Sequence, residues 1–194
     1  MASTQIDGFT AKVATATAGT AVLADATFAV FAVAGQPWGS INDACYAVSG
    51  LVAGALVWRL RSTTGSTLAG VAVGGGVVVA IGSALVISGT TGWLLAGFVS
   101  TIGFGLIGPG ILTASSRLAA DGAISPRLGM LGRWAGVFAI FGLIAALPAA
   151  QRIDDPATAP WWAWLPFFGW LGSAILMPAW AFGLGRRRRA QSIA

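Results

Sequence analysis

Six apolar stretches alternate with short polar joints along this chain. Each stretch is close to the roughly 20 residues that a helix needs to cross a bilayer's hydrocarbon core. The pattern predicts spanning helices over 13–35, 41–60, 68–87, 93–114, 128–149 and 161–184. It leaves a short tail at 1–12 and a basic tail at 185–194. The joints carry turn residues: Gly35-Gln36-Pro37-Trp38-Gly39, the polar run Ser62 to Thr67, Ser88 to Gly92, and Gln151 to Pro160. A joint as short as Ser88 to Gly92 makes the third and fourth helices antiparallel neighbours. The third stretch is rich in valine, which suits strands. A strand open to lipid would leave its backbone unpaired, so the helical reading holds there. The fold class that follows is all-α, a multi-pass transmembrane bundle of six helices.

The first stretch is the least apolar. Its valines, leucine and phenylalanines each contribute about −0.3 to −0.6 kcal/mol to insertion, and a central Asp25 costs about +2.5 to +3.5. The sum is near zero, so this helix needs neighbours that accept Asp25. A signal peptide is the competing reading, with Lys12 before the apolar run and Ala32-Val33-Ala34 as a cleavage site. Asp25 interrupts that run, which favours a membrane helix.

Composition agrees. Of 194 residues, 56% are hydrophobic and 9% charged, and the mean hydropathy is +0.81. A soluble domain carries roughly a quarter charged residues, so a soluble fold of this length could not cover its surface. The net charge is +5, and its distribution matters more than its size. Lys12, Arg59, Arg61, Arg117, Arg127, Arg133 and the run Arg186, Arg187, Arg188, Arg189 all fall at one set of helix ends. The opposite ends hold Arg152 with Asp43, Asp154 and Asp155. The positive-inside bias then places both termini in the cytoplasm of a plasma membrane. Trp38, Trp161, Trp162 and Trp164 go to the outer interface, and Trp58 and Trp134 to the inner one.

Small residues mark the packing faces. Gly50 and Gly54 form GxxxG in the second helix, and Gly70 and Gly74 do so in the third. Gly129, Gly132, Gly136 and Ala139 share a face of the fifth. Such faces let backbones approach closely. They serve packing within one bundle or a seam between copies, and the first is the reading taken. Gly108-Pro109-Gly110 predicts a kink or local unwinding of the fourth helix, since proline cannot donate and crowds the turn before it. Broken helices can line binding sites in transporters.

Asp25 is the acid set within a membrane stretch. Such a group is either a ligand or proton site or a hydrogen-bonded link between helices. Its candidate partners are threonines of its own helix, Tyr46, or an arginine from elsewhere. Asn42 and Asp43 are expected to cap or border the outer end of the second helix. Ser125 reads as the N-cap of the fifth helix, with Pro126 in its first turn. The arginine run reads as a topology anchor that also meets anionic lipid headgroups. Without a reading module it is no nucleic-acid site. The chain has no histidine and one cysteine, Cys45, expected as a small packing residue. Histidine-based triads, haem ligation and the usual zinc sites are thereby excluded. No catalytic residue, metal site or cofactor is assigned.

The element Ser125-Pro126-Arg127-Leu128-Gly129-Met130-Leu131-Gly132, with Gly136 following, resembles one found in uncharacterised bacterial integral membrane proteins. There a basic loop with Pro-Arg-Leu-Gly-x-Leu-Gly leads into a membrane helix. The resemblance covers about the last third of the chain and implies a six-helix bundle, with no activity attached. The functional expectation is a non-enzymatic structural or accessory membrane protein, partnered by lipids and by other membrane subunits or further copies of itself. The alternative is a carrier or receptor for a small apolar or lipid-like molecule, built on Asp25 and the Gly108-Pro109-Gly110 break.

Overall fold

The computed structural model describes residues 6–149 and 160–191. Six helices are long and apolar enough to cross a membrane, and the chain is an all-α bundle. Helix α1 spans Gly8–Ala34, α2 Trp38–Arg59, α4 Ser66–Ile87, α5 Trp93–Ala120 and α6 Pro126–Ala149, with a single turn, α3, at Arg61–Thr64. The sixth span is composite. A 3-10 turn at Trp161–Trp164 leads to α7 (Phe167–Trp170), a π-helical turn at Leu171–Leu176, and α8 (Met177–Gln191).

Each long helix packs along the next, and α8 returns against α1. The six spans therefore close a ring in chain order, and α2 and α5 also meet across its middle. The centre is solid. Phe104, Ile107, Ile111, Met177, Trp180 and Leu184 form one buried cluster with Ala14 and Ala18 of α1 and Leu56 and Val57 of α2. Large apolar side chains such as Val33 and Ile144 are 91% and 64% exposed around the outside. Lipid tails solvate such a surface, and water does not.

Several helix ends lie outside the apolar windows, because capping and not hydropathy fixes them. Asp7 Oδ1 accepts the Thr10 N–H at 2.6 Å, so α1 begins at Gly8 and residues 8–12 of the expected tail are helical. Gly35, at φ +67, ends α1 and returns its N–H to the Phe31 carbonyl. Gly65, at φ +90, separates α3 from α4 within the joint expected to be a plain loop. Helix α5 runs six residues past its expected end, through Ser115, Ser116 and Arg117. Helix α8 continues into the arginine run, where the sequence suggested a tail. Ser125 Oγ accepts the Leu128 N–H at 3.3 Å, which is the cap expected for α6.

The π-helical turn has a local cause. Pro178 has no N–H to give the Ala174 carbonyl, and its ring crowds that turn. The widened turn sits immediately before it. Within that turn, Gly172 lies so close to α6 that a Cβ there would stand 2.8 Å from the Ala135 carbonyl oxygen.

Candidate functional site

Asp25 lies between α1, α2 and the sixth span, half-buried. Tyr46, the chain's one tyrosine, donates its hydroxyl to Asp25 Oδ1 at 3.4 Å. The Tyr46 hydroxyl oxygen in turn accepts the indole N–H of Trp170. The threonines of α1 are otherwise engaged. Thr17, Thr20 and Thr27 donate back to carbonyls one turn earlier. Of the partners considered for Asp25, Tyr46 is the one the structure supplies. The Tyr46 ring also stands edge-on to Phe104 of α5, with centroids 6.2 Å apart. Phe28 tilts against Trp170 at 6.4 Å. One acid thus ties α1, α2 and α7 through a chain of two hydrogen bonds.

Asn42 and Asp43 do not cap α2. The helix starts at Trp38 after Pro37, which places both residues in its second turn. Asn42 is 8% exposed, and its Oδ1 has no hydrogen-bond partner. Helical spacing sets Asn42, Asp43 and Tyr46 on neighbouring positions of one face. Asp43 is half-buried. Among the described residues neither Asp25 nor Asp43 has an ion-pair partner. Arg152, Asp154 and Asp155 of the Gln151 to Pro160 joint lie outside the described residues.

Of the kink or local unwinding expected at Gly108-Pro109-Gly110, the unwinding does not occur. Helix α5 is continuous from Trp93 to Ala120 with Pro109 inside it. The flanking glycines are packing residues. A Cβ on Gly108 would stand 2.9 Å from the Gly136 carbonyl oxygen, and Gly110 faces the Val57 side chain. Gly105, one turn before Pro109, has no side chain to add to the crowding. Membrane helices absorb proline when neighbours hold the turn in this way.

The glycine faces divide. Gly50 packs on Val79, and Gly54 on Ala72 and Val73. Gly129 meets Ala119, Gly132 meets Ser115 and Trp180, and Gly136 meets Gly108 and Leu112. Gly70 and Gly74 do not pack: nothing lies within 4 Å of a Cβ at either. The close approaches on α4 come from Gly75, Gly76 and Gly82, which meet α5 or α2. A run of three glycines at 74–76 offers three helix phases, and spacing alone does not choose between them.

At the other end of the bundle the basic residues gather as expected. Arg59 pairs with Asp7 at 2.8 Å and lies over the Phe9 ring. The Asp7 carboxyl is held below its ordinary value by the Thr10 backbone amide, with Arg59 adding to the effect. Arg117 donates to the Thr63 carbonyl at 2.7 Å. Gly185 of α8 lies against Thr15 and Ala11 of α1, so the first and last helices meet at this end. Arg186 is exposed, over the Phe182 ring. The side chains of Arg187, Arg188 and Arg189 lie outside those described.

Sequence reasoning missed Trp170 and the convergence of Ser115 and Trp180 on Gly132. Ser115 and Trp180 are both fully buried, and their polar atoms are unpartnered beside Gly132. A second feature is an open apolar groove of about 420 Å³ between α1 and α2, lined by Thr20, Leu23, Ile41, Ala44, Cys45 and Val48. Cys45 therefore borders the groove as well as its helix neighbours. No family model, no curated protein and no solved structure matches this chain.

Proposed function

We propose that this chain is a non-enzymatic structural or accessory subunit of the plasma membrane, with both termini and the basic end of the bundle toward the cytoplasm. One observation carries the reading. Among the described residues the centre of the ring is packed, filled by Phe104, Ile107, Ile111, Met177, Trp180 and Leu184. A carrier needs a site reached from both sides by a moving element, and here the candidate hinge is a continuous, tightly packed helix. The joints are short, so the groups left to meet a partner are the lipid-facing helix surfaces. The exposed Gly70 and Gly74 face suits another membrane helix, from a second copy or a different subunit. The exposed Arg61, Arg127, Arg133 and Arg186 suit anionic headgroups, each adding about 1 kcal/mol near the surface.

Purification in mild detergent followed by native mass spectrometry tests this. A stoichiometric protein partner or a defined homo-oligomer is the expected result. A monomer that retains a small molecule and no protein would overturn the proposal. Orientation is tested separately by placing a cysteine in the Gln151 to Pro160 joint of a Cys45→Ala background. Labelling from outside the cell is expected, and labelling from the cytoplasm alone reverses the topology.

A further inference from the structure

The outer half of the sixth span is built differently from the other helices. A 3-10 turn at Trp161–Trp164 is followed by Pro166, by the single turn α7 and by the π-helical turn Leu171–Leu176. Trp170, the last residue of α7, stands immediately before the π turn. Such turns inside membrane or soluble helices often sit at functional sites. Closing this one by a residue would rotate Trp170 by about 100° around the helix axis.

The two sides of this outer half are held unequally. Toward α6 it packs backbone on backbone. A Cβ on Gly142 would stand 2.7 Å from the Gly169 Cα, and one on Gly172 meets the Ala135 carbonyl. Toward α1 and α2 it reaches with the Trp170 ring, which tilts against Phe28 and donates its N–H to Tyr46. Phe28 and Trp170 are 45% and 37% exposed, so this contact is not sealed by neighbours. Nearer the other end, α8 packs directly on α1. The span therefore has a fixed inner half, a close seam along α6, and a polar tie to α2.

Asp25 grades the strength of that tie. Tyr46 has one hydroxyl proton, and it goes to Asp25 Oδ1. Giving that proton to a carboxylate makes the phenol oxygen a better acceptor for Trp170. A protonated Asp25 pulls less on the proton, and its own O–H competes with Trp170 for the Tyr46 oxygen. Asp43, three residues before Tyr46 on α2, is the other acid whose charge reaches the hydroxyl. Phe104 of α5 and Trp170 of the sixth span face Tyr46 without charge. Arg152, Asp154 and Asp155 are outside the described residues.

We infer that the Asp25–Tyr46–Trp170 chain is an acid-sensitive latch on the sixth span. Ionised Asp25 holds the outer half of that span to α1 and α2. Protonation weakens both hydrogen bonds and frees the segment to swing on its α6 seam, which parts Trp170 from Phe28 and opens the ring between α1 and α7. The latch does not depend on the accessory role.

The full chain in nanodiscs, isotope-labelled at its tryptophan nitrogens, is followed by NMR from about pH 8 to about pH 3.5, a range that brackets an ordinary carboxyl. The Trp170 indole signal is identified by its loss in Trp170→Phe. It is expected to move along a single titration in the wild type and in Asp43→Asn, and to stay still in Asp25→Asn and Tyr46→Phe. At pH 7, amide exchange over 165–176 should be about threefold faster in Asp25→Asn than in the wild type, the equivalent of one interhelical hydrogen bond. Exchange in α4 should be the same in both. A Trp170 signal that is flat across the range overturns the inference. So does a titration that survives Asp25→Asn or vanishes in Asp43→Asn, and so does unchanged exchange over 165–176. If Asp25→Asn does not fold, the wild-type and Asp43→Asn titrations still decide the matter.

Discussion

The α5–α6 seam and the corner of α1, α2 and α7 join helices of the same ring by opposite means. The seam is nearly side-chain-free at its closest point. Gly105, Gly108 and Gly136 bring backbone against backbone, and an added Cβ at Gly108 or Gly136 would stand 2.9 or 2.8 Å from the opposite carbonyl oxygen. The corner sets large rings between its helices and links them through Tyr46, Trp170 and Asp25. Lipid offers no hydrophobic drive between helices, so each join must rest on packing or on polar bonds. The difference shows what each can tolerate. A packed seam is unforgiving of volume and indifferent to charge. A polar corner accommodates volume and responds to charge.

The largest effect expected from this contrast is at the seam. Gly136→Val adds atoms where the Gly108 carbonyl and Leu112 already stand within 3 Å of a Cβ. Overpacking of this kind costs about 1–3 kcal/mol or more. Thermal unfolding in detergent should show a large loss, with poor recovery of folded protein. Wild-type stability in Gly136→Val would remove the distinction between the two regions. The control is on α4. Gly70→Ala and Gly74→Ala meet nothing within 4 Å. They should leave the monomer as stable or raise it by up to about 0.5–1 kcal/mol each through backbone entropy. If the exposed pair instead seats another helix, the substitutions lower the oligomer population in native mass spectrometry while the monomer keeps its stability.

A smaller effect is expected in the corner. Tyr46→Phe keeps the ring against Phe104 and removes both hydrogen bonds. Interhelical hydrogen bonds in membranes average about 0.6 kcal/mol, so the loss should be about 1 kcal/mol at most. Unfolding at constant pH measures it. A loss equal to that of Gly136→Val would mean that the corner is as tightly determined as the seam.

How much of this could be read from the chain follows the same division. Six spans, their order and the grouping of basic ends were legible, because bilayer thickness and charge asymmetry act on composition averaged over a segment. The seam was half legible. Gly129, Gly132 and Gly136 hold one face and do pack, whereas Gly70 and Gly74 hold one face and do not. Spacing reports which residues share a face, and only tertiary phase decides which face is inward. Pro109 misled for a related reason. The strain of a proline is local, but whether a helix yields to it depends on how firmly the neighbours hold Gly105, Gly108 and Gly110. The corner was least legible. Asp25 stood out by its cost in lipid, but Trp170 reaches its partner Tyr46 from 124 residues away in sequence, and no periodicity connects the two.

The smallest expected effect is a pH dependence at the basic end, and it isolates charge from packing within one helix pair. Asp7 caps α1 and pairs with Arg59 of α2. Its carboxyl is held below the ordinary value of 3.8, first by the Thr10 amide and then by Arg59. A depressed folded value means that the stabilisation is fully present above about 3.8 and is lost as pH falls through the folded value. The carboxylate is 57% exposed and screened by water and salt, so the loss is small, as for other exposed pairs. Asp7→Asn isolates it. Asparagine keeps the N-cap bond and removes the charge. The difference in melting temperature between wild type and Asp7→Asn should be largest at neutral pH and shrink toward zero below pH 3.8, whatever the other acids do. A difference that stays constant down to acid pH would show that the Asp7 charge contributes nothing. The α1–α2 pair would then be held, like α5–α6, without help from charge.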